Sequence, residues 1–450
     1  MMRATLRSRA VFAVAALLAV AAAQRVWNVL HYPVFMGFDA PGNWQYIQLL
    51  MERWALPAPD AGWSTAHPPL FYAIGALLGA LQASPDEDSV GRPLVLLCAA
   101  LGLAAVAATA WLVHERAGGR LRPTLLATLL LVCLPVHISM STMLSEELLT
   151  SALVSFALVG LVAEMARPEA ARGALRPALL GAVAGLALLT KLSAAMLVVA
   201  GAAALLAEAP GRGRARALRS AAAFAAAAAL VGGWFYLRNL GQYGYLYPHG
   251  LAAHAVMLEM PPGERGLADY LAFPRAAFSG AQAADPSLLH SVWGSTYASI
   301  WFDPHRHFLP KRAPGLTLAA RVILVSALVP TAAFVLGLLR GARRAWRERS
   351  AADRLLVGVV GLMLAGYVAF TFRNPWFVTA KGSFLLGLAT PFAVYASEVL
   401  DGWLSAGRLR ALALGGILLA LFAASVTTFT YQGVFQKWEP PGPEWRSVRR

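Results

Sequence analysis

Residues 27–81 read WNVLHYPVFMGFDAPGNWQYIQLLMERWALPAPDAGWSTAHPPLFYAIGALLGAL. An apolar helix ends near the start of this stretch, and Asp39 follows a few residues later, where Pro33, Gly37, Pro41 and Gly42 permit a tight path. An acid kept at a membrane surface is costly to place without a use. Next comes an amphipathic run in which Trp44, Ile47, Leu50 and Met51 recur at three- and four-residue spacing, giving a helix one greasy face. His67 and the rigid pair Pro68-Pro69 then open a second apolar run that ends at Leu81. That run is well short of the roughly 20 residues that cross a bilayer, so it is predicted to lie at the surface or dip into it.

The surroundings set the class. The chain has 450 residues, of which 58% are hydrophobic and 14% charged, against roughly 25% charged in soluble domains. Apolar runs at 10–29, 92–113, 122–141, 147–165, 174–190, 192–208, 218–237, 316–338, 354–371, 381–400 and 408–428 predict about eleven transmembrane helices. Alanine and leucine dominate runs too long and unbroken for barrel strands, so an all-α polytopic membrane protein is expected. Val11 to Ala23 follows Arg3, Arg7 and Arg9 in the manner of a signal peptide. The many later spans and the continuation through Trp27 favour an uncleaved first helix. Cys98 and Cys133 both fall inside apolar runs and read as packing residues rather than a disulfide.

Charge gives the topology. Arginines gather at 116, 120 and 122; at 167, 172 and 176; at 212, 214, 216 and 219; at 340, 343, 344, 347 and 349; and at 408 and 410. With the amino end cytoplasmic, all five groups fall on the cytoplasmic side. The +15 formal charge is therefore a topology signal, and no nucleic-acid partner is expected. The opposite loops carry Asp39, Asp60, Asp86, Glu87, Asp88, Glu146 and Glu147. Counting Pro69 to Leu81 as a span would reverse every later loop, which again keeps that run outside. The expected organisation is one membrane domain over 1–450, with an external loop at 30–91, a large external loop at 238–315 and an external tail at 429–450.

One apolar stretch, Leu175 to Leu206, is interrupted by Thr190, Lys191 and Ser193. Two helices of about 16 residues span only about 24 Å each, so the turn between them is expected below the outer surface. A lysine there needs a counter-charge or a functional anion, unless it snorkels to the interface. Together with Lys191, one side of the membrane collects Asp39, His67, Glu146, Glu147, Arg238, Asn239, Arg373 and Lys381. Cations can hold phosphate oxygens and offset charge as a glycosidic bond breaks, an aspartate can deprotonate or orient a hydroxyl, and aromatic rings pack on sugar or isoprenoid faces. Plainer readings stand beside these. Asp39 could pair with an arginine or cap the helix beginning near Gly42, though it stands early for a cap. His67 could bond loop backbone, Glu146 and Glu147 suit a helix start, and Arg238 suits the interface after WFYL. Asp303, His305 and His307 offer little ground for a metal site, and no metal is expected.

The ordered set of HPPLFYAIGALL, STMLSEELLT, GAVAGLALLTKLSAAML, GGWFYLRNLGQYG and AKGSFLLGLATP, with Asp39 before it, resembles the GT-C superfamily of integral-membrane glycosyltransferases. Its ArnT-like, RgtA-like and protein O-mannosyltransferase-like members use polyprenyl-phosphate sugars. The resemblance covers roughly residues 10–400. It implies GT-C architecture with external juxtamembrane helices, and inverting transfer of a monosaccharide from a polyprenyl-phosphate donor to an extracytoplasmic acceptor. It further implies Asp39 as catalytic base, His67 in the HPP-type segment, Glu146 or Glu147 at an acidic position, and Lys191 and Arg238 on the lipid-phosphate side. A bacterial inner membrane is the expected location, with membrane lipids as neighbours. Two departures stand out: Ala40-Pro41-Gly42-Asn43 follows the acid in place of a second carboxylate, and Lys381-Gly382-Ser383-Phe384 replaces a KGRY-like segment. The rival classes are a transporter or flippase of a lipid-linked substrate, and a non-catalytic membrane assembly protein. An inverted pair of helical repeats would mark a transporter, and the sequence shows none.

Overall fold

The computed structural model describes residues 2–168, 173–208, 213–247 and 265–435, with side chains from residue 11 onward. The expected cytoplasmic charges at Arg172 and Arg212, the PPGE opening of PPGERGLADY and the tail beyond residue 435 lie outside the described residues. Among the described residues the secondary structure is helical, without strands. Eight helices are long and apolar enough to cross a membrane, and Leu70–Ala80, Leu121–Val132, Leu175–Leu188 and Leu192–Leu206 are shorter apolar helices.

In chain order the helices are α1 (Met2–His31), α2 (Ala40–Arg53), α3 (Leu70–Ala80), α4 (Glu87–Arg116), α5 (Leu121–Val132), α6 (Pro135–Met140) and α7 (Glu147–Met165). There follow α8 (Leu175–Leu188), α9 (Ala195–Leu206), α10 (Arg214–Ala228) and α11 (Trp234–Tyr243), the last two joined by a π-turn at Ala229–Gly233. After single-turn pieces come α12 (Val292–Trp301), α13 (Leu316–Ser326), α14 (Leu328–Arg347), α15 (Ala351–Arg373), α16 (Ala389–Ser405) and α17 (Arg408–Thr428).

The difference from eleven full spans has local causes. The run expected as one helix over 122–141 stops at Val132, and α6 restarts at Pro135. Proline has no N–H and clashes with the preceding turn, so the ladder breaks there. Arg25 of α1, itself buried, donates to the Val132 carbonyl at 2.6 Å and so serves the broken end. The polar interruption at Thr190 to Ser193 parts α8 from α9, with Lys191 extended before a 3₁₀ turn at Leu192–Ala194. On the other side of α8, Gly185 packs so closely on α10 that a Cβ would lie 2.9 Å from the Ala228 carbonyl oxygen. Small residues allow such backbone approach.

Two apolar cores result. One is built from α7, α8, α9, α10, α15 and α16 around Leu158, Leu197, Phe224, Leu356 and Tyr395. The other lies at the end that carries Asp39, where Ile47 of α2, Phe71 and Tyr72 of α3, Leu94 of α4 and Leu148 of α7 pack together. The amphipathic face read from the sequence is only partly the buried one: Ile47 and Leu50 are buried with Asn43 and Tyr46. α1 is tied to the chain's later part through Asn28, whose amide donates to the Phe429 carbonyl and whose Oδ1 accepts from the Tyr431 N–H, both at 2.8 Å.

Candidate active site

The end of α1, the start of α2, the loop before α3, the start of α7, the α8–α9 turn and the segment before α16 meet at one place. Asp39 stands immediately before α2 with φ 56° and ψ 9°, a left-handed backbone uncommon outside glycine. Its side chain does not cap the helix, even though α2 begins at Ala40 rather than near Gly42. Instead Trp63 Nε1–H donates to Oδ1 at 2.7 Å, and Lys381 Nζ lies 3.7 Å from Oδ2. The Asp39 side chain keeps 34% exposure while that of Lys381 keeps 8%, so the carboxylate is the open member of the pair. Burial works against ionisation of Asp39, yet Lys381, the Trp63 hydrogen bond, His67 and Lys191 together hold its pKa below the ordinary carboxylate value.

A second cluster adjoins the first. Lys191 Nζ donates to Glu147 Oε1 at 2.5 Å and to Glu146 Oε1 at 3.2 Å, and both carboxylates are buried. The sequence asked for a counter-charge or an anion at Lys191. The chain itself supplies the counter-charge. Ser383, at the position where a KGRY-like segment would carry arginine, donates to Glu147 Oε1 at 3.4 Å. Phe384 lies between the two lysines, with Lys191 Nζ at 4.6 Å and Lys381 Nζ at 4.5 Å from its ring centre, and Lys381 also lies over Phe38 at 4.4 Å.

His67 links the clusters through a chain of fixed polarity. Asn43 Nδ2 donates to the Leu144 carbonyl at 2.8 Å, so its Oδ1 faces Tyr72 and accepts the phenol proton at 3.0 Å. Tyr72 has no second proton, and His67 Nδ1, 3.0 Å away, is therefore the donor to it. A neutral His67 is thus held as the Nδ1–H tautomer with Nε2 as acceptor. Burial lowers the His67 pKa; Glu146, with Oε1 3.7 Å from Nδ1, pulls it up, Lys191 lowers it further, and the balance lies below the ordinary histidine value. The Leu70 N–H donates to the Leu189 carbonyl at 2.9 Å, which fastens the HPPL segment to the end of α8 beside Lys191.

The remaining expected residues divide. Arg238 donates to Asn239 Oδ1 at 3.1 Å and lies 5.8 Å from the Tyr243 ring centre, on α11. Tyr236 on the same helix donates to the Leu188 carbonyl at 2.9 Å, which sets α11 against the α8 end. Asn239 is buried beside Arg238. Arg373 ends α15 exposed and is not brought to the carboxylates; among the described residues Arg265 takes the contacts with this segment, reaching the Trp376 carbonyl at 2.5 Å. The Asp303 carboxylate accepts the backbone N–H groups of His307, Phe308 and Leu309. His305 and His307 instead set their rings against Phe38. Trp63, Asn43, Tyr72, Phe38 and Phe384 were not singled out from the sequence, because each reads there as part of an aromatic or amphipathic run.

This architecture is similar to solved structures of the oligosaccharyltransferase of Archaeoglobus fulgidus. The form tethered with an acceptor peptide containing the NVT sequon aligns with a TM-score of 0.54 and 14% identity, covering 97% of this chain and 57% of that one. The form in complex with an inhibitory peptide and a dolichol-phosphate gives 0.51 and 15%, covering 97% and 59%. ArnT from Cupriavidus metallidurans bound to undecaprenyl phosphate gives 0.43 and 13%, covering 87% of this chain and 78% of that one. The chain therefore spans less than three fifths of the oligosaccharyltransferase. No protein-family model and no curated protein matches the sequence. The likeness shows a fold shared with the Archaeoglobus fulgidus oligosaccharyltransferase.

Proposed function

We propose that the protein is a glycosyltransferase that moves a monosaccharide from a polyprenyl-phosphate donor to an acceptor hydroxyl, with Asp39 as general base and inversion at the anomeric carbon. The observation that carries this reading is the one-third-open Asp39 carboxylate 3.7 Å from the Lys381 ammonium, which shares the Phe384 ring with Lys191. A base must be ionised before reaction and within reach of the acceptor proton, and its low pKa meets the first need. The acceptor oxygen attacks the anomeric carbon while the bond to the phosphate oxygen breaks. Its proton passes to Asp39, and the polyprenyl phosphate departs with the bonding pair. Lys381 and Arg238 offset the charge that grows on the leaving phosphate, while Lys191 stays with Glu146 and Glu147. Binding of dolichol-phosphate by a protein of this fold supports a lipid-linked donor.

The arginine pattern supports an Asp39 end facing away from the cytoplasm with the amino end inside, and the family resemblance supports a bacterial inner membrane. Purified protein given a radiolabelled polyprenyl-phosphate sugar pool and membrane extract tests the reading. Transfer of label from lipid to an acceptor, with release of polyprenyl phosphate, is expected. Movement of intact labelled lipid between leaflets without release would replace it with the flippase reading.

A further inference from the structure

A second charged site lies at the opposite end of the bundle. α4 runs 30 residues from the Asp39 end to Arg116, about 45 Å at helical rise. There Arg116, Arg120 and Arg344 line a cavity of about 470 Å³ with Ser350, Asp353 and Glu398. Binding pockets for small ligands run from about 300 to 1,000 Å³.

The donors and acceptors around this cavity are unequally committed. Arg344 is used up: its guanidinium contacts both oxygens of Asp353 at 3.1 and 3.2 Å and both of Glu398 at 2.8 and 3.0 Å. Those contacts turn both carboxylates towards Arg344, and Asp353 also accepts from Ser350 at 2.7 Å and Tyr395 at 3.0 Å. Arg116 gives one nitrogen to Asp353 at 3.1 Å. Its Nε and Nη1 carry no protein partner among the described residues. Arg120 donates to the Ala117 carbonyl and to Asp401, a carboxylate it shares with Arg122. Its second terminal nitrogen is likewise uncommitted. Four arginines thus meet three carboxylates.

We propose that this cavity binds a phosphate group through Arg116 and Arg120, with Arg344 as the fixed post that keeps the carboxylates turned away. Planar guanidinium forks suit phosphate oxygens, and basic pockets between helix ends on the cytoplasmic side hold anionic lipid headgroups. The proposal is independent of the chemistry at Asp39. A lipid headgroup and a free phosphate share this chemistry, and the experiment separates them.

Full-length protein in detergent is mixed with phosphatidylglycerol, phosphatidylcholine or inorganic phosphate, and retention is read by native mass spectrometry. Saturable one-to-one retention of phosphatidylglycerol over phosphatidylcholine is expected. Arg116→Gln with Arg120→Gln should reduce it by about tenfold or more, the scale of a lost charge-assisted contact. Arg340→Gln with Arg343→Gln removes the same charge from exposed positions on α14 and should leave retention unchanged. Parallel retention of inorganic phosphate, lost in the same variant, identifies a general phosphate site; its absence assigns the site to the lipid headgroup. Equal retention of both lipids by the wild type, or equal loss in the two double variants, overturns the proposal. Should the Arg116 and Arg120 variant not fold, wild-type binding decides, and unsaturable retention overturns it.

Discussion

Lys191→Met isolates the buried trio beside Asp39. One ammonium nitrogen touches Glu147 Oε1 at 2.5 Å and Glu146 Oε1 at 3.2 Å, so those two oxygens lie within about 6 Å of each other, inside the range at which like charges perturb one another. Their side chains keep only 7% and 5% exposure, so water screens them little. Methionine fills much of the lysine stem's space and removes the charge. Breaking a buried pair by deleting one partner costs about 3–5 kcal/mol, and the two stranded carboxylates place this variant at the upper part of that range. The assay is reversible unfolding in mixed micelles by titration with SDS, followed by tryptophan fluorescence. Adding Glu147→Gln removes one stranded charge and should recover more than half of the loss. A Lys191→Met loss below about 1 kcal/mol, the level of an exposed pair, would refute the reasoning. So would a further loss on adding Glu147→Gln.

Two other predictions test the site and the topology. Trp63→Phe removes the hydrogen bond to Asp39, and Lys381→Met removes the charge beside it. Because both lower the Asp39 pKa, either change should raise it. The acid limb of the pH–rate profile, along which transfer is lost as pH falls through that pKa, should then move to higher pH; a limb that stays in place would detach Asp39 from the rate. Cysteines placed at Asp60 and Asp86 should both react with a membrane-impermeant reagent in intact cells. Labelling at only one of them would make α3 a crossing helix and reverse the later loops.

Legibility in the sequence followed how local the physics was. The helical class and most helix positions follow from apolar run length, a property of each segment alone. Lys191 could be picked out because a lysine inside an apolar stretch demands a partner; which partner it has, Glu146 and Glu147, depends on α7 packing beside the α8–α9 turn. The tight turn that places Asp39 just before α2 was legible from its surrounding glycines and prolines. Its bond to Trp63 was not, since the loop from Trp54 to Pro69 must fold back first, closed by Thr65 with the Gly62 N–H at 3.0 Å and the Pro59 carbonyl at 2.9 Å. Tyr72 sits in an apolar run, and nothing in that run shows that its hydroxyl meets Asn43 and His67. Arg25 was invisible for the same reason: its partner is a carbonyl freed by a proline on another helix. Arg373 was over-read because charge and side alone placed it with the cluster, while the structure leaves it exposed at the end of α15.

Asp39→Asn tests the central claim most directly. The amide keeps the shape of the side chain and can still accept from Trp63, but it is neither a base nor a counter-charge to Lys381. Turnover of a labelled polyprenyl-phosphate sugar pool in membranes is measured alongside donor-lipid binding by the same preparation. Donor binding near the wild-type level with transfer reduced at least about 100-fold, the scale of general-base loss, is the predicted result. Transfer at the wild-type rate by Asp39→Asn would contradict it.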